Sequence, residues 1–66
     1  MTPQQHYAFT EVFELVSEDG CSLAEAADLV TGQLAEVFEM DSGSAIFLAE
    51  QAAGLVAQEL KATEVA

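Results

Sequence analysis

The chain predicts an all-α fold, an antiparallel three-helix bundle, on three observations. Apolar residues recur at three- and four-residue steps through three segments, helix-start signals precede each segment, and the breaks between them are only a few residues long. Helices expected at about residues 3–18, 23–39 and 43–61 match in length well enough to lie side by side. Connections of about three or four residues then make sequential helices antiparallel neighbours. The whole chain, residues 1–66, forms one small domain in this reading, with 62–66 expected to fray.

The first helix opens on Thr2, Pro3 and Gln5, which together supply an N-cap, a proline at the first helical position and a capping-box glutamine. Its apolar face is expected to be Phe9, Val12, Phe13 and Val16, with Ala8 and Leu15 at the edge and Glu11, Glu14 and Glu18 opposite. Gly20 closes it, because glycine takes the left-handed conformation without steric cost.

Ser22 and Glu25 form a second capping box. Leu23, Ala26, Ala27, Val30, Leu34, Val37 and Phe38 fall on one side of the second helix, and Glu25, Asp28, Gly32, Glu36 and Glu39 on the other. Asp41 or Ser42 can cap the third helix, whose polar residues Glu50, Gln51, Gly54, Gln58 and Lys61 leave only a narrow wet strip. This helix is expected to be central. Its core face is read as Ala45, Ile46, Ala49, Ala53, Val56 and Leu60, with Leu48, Ala52 and Leu55 as a second apolar edge and Phe47 close to the wet strip. A lone bundle need not bury that edge, so homodimer packing through Phe47, Leu48, Ala52 and Leu55 is expected to complete the fold.

A chain of 66 residues buries only about 60% of its unfolded surface, which leaves a small core. Hydrophobic residues at 52% argue against disorder all the same. Twelve acidic residues against Lys61 alone give a net charge of −11, a field that repels phosphate backbones and anionic lipid; direct nucleic-acid or membrane binding is not expected. The start of the chain has neither the basic region nor the apolar run of a signal peptide, and Cys21 is the single cysteine. A cytoplasmic location is therefore expected.

Nothing in the chain spells out a reaction. His6 has no nucleophile partner at a recognisable spacing, Cys21 reads as a packed turn residue, and the carboxylates have neither an apolar pocket nor a calcium-loop spacing. No catalytic residue, cofactor or metal ligand is expected. Asp41-Ser42 ahead of an apolar helix resembles the acyl carrier proteins, in which a serine after aspartate carries the phosphopantetheine arm. The resemblance covers two residues and the sign of the charge. Gly43 stands where those proteins have leucine and the chain ends at its third helix, which leaves Ser42 as a helix cap.

Two apolar residues stand among the acids: Tyr7 in register with Glu11, Glu14 and Glu18, and Leu29 flanked by Glu25, Gly32 and Glu36. Neither is expected on the core face. The chain reads as a small acidic, non-enzymatic module that binds another protein, an inhibitor or adaptor of the size that phage and bacterial genes encode. The expected contact set is Tyr7, Glu11, Glu14, Glu18, Glu25, Asp28, Leu29, Glu36 and Glu39, facing a basic surface on a partner protein, with a nucleic-acid-binding protein met by charge mimicry as one version. The alternative is a structural or secretion-chaperone role, in which the apolar edge of the third helix captures a partner helix.

Overall fold

A computed structural model describes the backbone of residues 1–65 and the side chains of 1–62. Three helices, α1 (Pro3–Ser17), α2 (Leu23–Val37) and α3 (Ser42–Val65), account for its regular structure; there is no strand among the described residues, and each helix packs against the other two.

The local signals act where the residue types place them. The Gln5 N–H donates to Thr2 Oγ1 at 3.1 Å while the Thr2 N–H donates to Gln5 Oε1 at 2.8 Å, which closes the capping box of α1. Gly20 takes φ +73° and the Cys21 N–H donates back to the Leu15 carbonyl at 3.0 Å, turning the chain toward α2. Ser22 Oγ accepts from the Glu25 N–H at 3.1 Å, but the Glu25 carboxylate takes the Ser22 hydroxyl at 3.3 Å instead of the Ser22 N–H, so the expected second capping box is only half formed. At the third start the cap is Asp41, which accepts from the Ser44 N–H at 3.2 Å and the Ser44 hydroxyl at 2.9 Å. Ser42 is the first helical residue and not the cap.

α2 stops at Val37, two residues short of the expected end, because Glu39 turns into the left-handed region at φ 53°. No glycine or proline marks that break. α3 runs through Val65, and the expected fraying of 62–66 falls mostly on residues whose side chains lie outside those described.

The core is Ala8 and Val12 of α1, Ala26, Val30 and Leu34 of α2, and Ala45, Ala49, Ala52 and Val56 of α3. Five of these nine are alanine, so the helices approach closely along a narrow seam and larger neighbours are pushed to its margins. That accounts for three departures from the expected faces: Phe13 is 37% exposed, Val37 58% and Ile46 46%. Ala53 is half-buried, and Ala52, expected at a free edge, is 3% exposed. α3 has α1 on one flank and α2 on the other, so its apolar arc is shared between two neighbours.

Candidate protein-binding surface

Tyr7 departs most from its expected place. It is half-buried and packed against the core, with its ring edge-on to Phe38 at 5.4 Å between centroids and 80° between planes. Its hydroxyl donates to Gln33 Oε1 at 3.4 Å. A tyrosine on the flank of a helix is long enough to lay its ring across the neighbouring helix and bring its O–H to a polar partner. Loss of water around the ring, and secondarily the charge of Glu11 one turn along, push the phenol above the ordinary tyrosine range.

This contact fixes the rotation of two helices about their axes. Gln33 lies four residues after Leu29 and three before Glu36, so all three share one flank of α2, and the Tyr7 hydroxyl reaches that flank. Tyr7 in turn shares its side of α1 with Glu11, Glu14 and Glu18. The acidic stripes of α1 and α2 therefore border the same seam. Glu14, Glu18, Glu25 and Glu36 are exposed along it, Glu11 is half-buried, and Leu29, 52% exposed, stands among them. Glu39 is exposed just beyond the end of α2.

Asp28, exposed three residues after Glu25, stands at the margin of this face nearest α3. It also lines a groove of about 460 Å³ between α2 and α3, together with Leu23 and Ala27 of the same helix and Ile46, Glu50 and Ala53 of α3. Thr31, in the same wall, has its hydroxyl occupied by the Ala27 carbonyl at 2.8 Å. The helical period places Asp28 a residue beyond Ala27 and so at the rim, which expectations built on a single stripe overlooked.

The second apolar edge of α3 is largely taken up inside the chain. Leu48, Ala52 and Leu55 border a cleft with Met1 and Gln5 of the α1 start, where Gln5 Nε2 donates to Gln51 Oε1 at 3.5 Å. Ala52 is buried and Leu48 half-buried, which leaves Leu55 at 39% and Phe47 at 64% exposure. His6 is exposed beside Phe9 and Leu55, and Cys21 is a half-buried free thiol. Among the described residues no three His, Cys, Asp or Glu side chains could share a metal ion, and no helix is long and apolar enough to cross a membrane.

Gln33 is the seam residue that sequence alone did not single out, its one signal being its register with Leu29, whereas Phe38 packs inward as its place on the apolar side of the second helix predicts. Set against protein-family models, curated proteins and solved structures, the chain matches none.

Proposed function

We propose that the chain is an acidic protein-binding module, an inhibitor or adaptor, whose α1–α2 face engages a basic surface of a partner protein. The observation that carries this reading is the Tyr7–Gln33 contact, because it joins two lines of carboxylates into one face. Lys61 alone cannot neutralise twelve acidic side chains, so most of the field points outward and steers a cationic partner, raising the association rate more than the final affinity. Leu29 supplies apolar area to desolvate in the middle of that face, and Tyr7, already held by α2, holds the two stripes in register. Nucleic-acid-binding proteins are among the partners such a face fits, since two adjacent lines of negative charge compete for the contacts a phosphate backbone makes.

A host-lysate pull-down eluted with a salt gradient tests the proposal. Partners of the acidic face should leave between low and physiological salt, and those same partners should be missing from the eluate of the Glu25→Lys/Glu36→Lys protein. Partner retention that is indifferent to both salt and charge reversal would sink it. A homodimer through α3 would rest chiefly on Phe47 and Leu55, and light scattering at high micromolar concentration decides it: a mass of 7.0 kDa rules the dimer out.

A further inference from the structure

We infer that the groove between α2 and α3 is a second docking site, whose occupant is a cationic amphipathic helix of another protein. The site lies toward α3, on the flank of α2 away from Leu29 and Glu36, and shares no lining residue with the Tyr7–Gln33 seam. Its floor and walls are apolar, from Leu23 and Ala27 on one side and Ile46 and Ala53 on the other, and Ile46 is 46% exposed there. The alanines keep the walls low, so a helix can approach closely enough for its side chains to reach the floor. Along α2 the lining runs from Leu23 to Thr31, about two helical turns or roughly 12 Å at 1.5 Å per residue, which suits two or three apolar side chains spaced i, i+3 or i+4, and i+7.

Charge identifies the occupant. Each wall carries one exposed carboxylate, Asp28 on α2 and Glu50 on α3, with no basic residue in the lining. A helix lying between them meets negative charge on both sides of its apolar stripe and is held best if it carries lysine or arginine on both sides of that stripe. A second copy of this chain fits poorly, because it would bring a net charge of −11 and Lys61 as its single Lys or Arg.

The test uses an 18-residue model peptide of leucine and lysine patterned as an amphipathic helix, titrated into the isotope-labelled full chain and followed by amide chemical shifts. A scrambled peptide of the same composition matches its charge without the apolar stripe. The expected result is shifts centred on Leu23, Ala27, Thr31, Ile46 and Ala53, with at least tenfold weaker binding of the scrambled peptide. Asp28→Lys/Glu50→Lys and, separately, Ile46→Asp should each weaken binding tenfold or more. Glu25→Lys/Glu36→Lys, which disables the acidic face, should leave groove binding within about twofold. Ile46 is exposed enough for aspartate to be tolerated, and the charge-reversed double variant gives a second reading that does not alter the apolar lining. Equal binding of the scrambled peptide would overturn the inference. So would shifts confined to α1 or to the α1–α3 cleft, or self-association that fills the groove and that the peptide does not displace.

Discussion

Three glycines are expected to respond to the same substitution with opposite signs. Gly32 and Gly54 lie inside α2 and α3, both are exposed, and a Cβ built at either meets nothing within 4 Å. Neither is required by backbone conformation or by close packing within the chain, so each costs helix stability relative to alanine by about 1 kcal/mol. Gly20 has equally open space but sits at φ +73°, where a Cβ collides with its own carbonyl at a cost of about 1–2 kcal/mol. At about 2.1 cal/mol/K per residue, a chain of this length unfolds with an entropy of about 0.14 kcal/mol/K, so 1 kcal/mol moves Tm by about 7 °C. Gly32→Ala and Gly54→Ala should each raise Tm by about that amount. The pair should add, because the two sites lie on different helices and face open space. Gly20→Ala should lower Tm by about 7–14 °C. Total stability for a domain of this size is only about 3–10 kcal/mol, so these are large fractions of it. Circular-dichroism melts with urea titrations read them directly. A Gly54→Ala protein that melts lower than the parent, or a Gly20→Ala protein that melts higher, would refute the assignment of open helical space to the one and a left-handed turn to the other.

Other outcomes follow from the same geometry. Glu39→Gly should stabilise the fold by about 1 kcal/mol, since φ 53° strains any residue with a Cβ, and a urea titration would register it. The raised pKa of Tyr7 means that the fold favours the neutral phenol. Its contribution to stability is complete below the usual tyrosine value of 10.0 and is lost as pH rises through the higher value of the folded state. Tyr7 is the only tyrosine, so tyrosinate absorbance reports it alone, and Tyr7→Phe should remove the tyrosine part of the alkaline loss. Salt should raise Tm. The molecule measures 38 × 23 × 15 Å, so at ~0.01 M salt, with a Debye length of about 30 Å, most of its carboxylates repel one another, whereas at ~1 M screening reaches only about 3 Å. A melt indifferent to salt would mean that the twelve acids do not load the fold as described.

The helices and two of their caps were legible because the information is local. Thr2 with Gln5, and Ser22 with Glu25, act within one turn, and Gly20 is the one residue type that takes its conformation freely. The end of α2 was legible only to within two residues, since at Glu39 an ordinary glutamate occupies a backbone conformation that glycine or asparagine would have announced. The width of the core was misjudged for a different reason. Periodicity finds the apolar side of a helix but not how near its neighbour comes, and here alanine at Ala8, Ala26, Ala45, Ala49 and Ala52 set the distance, leaving Phe13, Val37 and Ile46 outside.

The surface followed from rotation, which no single helix encodes. The acidic stripes of α1 and α2 could have pointed to opposite sides of the bundle with the same composition and the same periodicity. What decides between these arrangements is a pair contact between helices, and Tyr7 makes it through Gln33 and Phe38. The same rotation that brings Leu29 and Glu36 to the α1 side sends Asp28 to the α3 side, because residues 28 and 29 are about 100° apart around the helix. One carboxylate is thereby set at the margin of the acidic face and across a groove from Glu50. The acidic face and the groove are thus two consequences of one angle. Tyr7→Ala, by freeing that angle, should blur both surfaces at once, whereas Glu25→Lys/Glu36→Lys should affect chiefly the first and Asp28→Lys/Glu50→Lys chiefly the second.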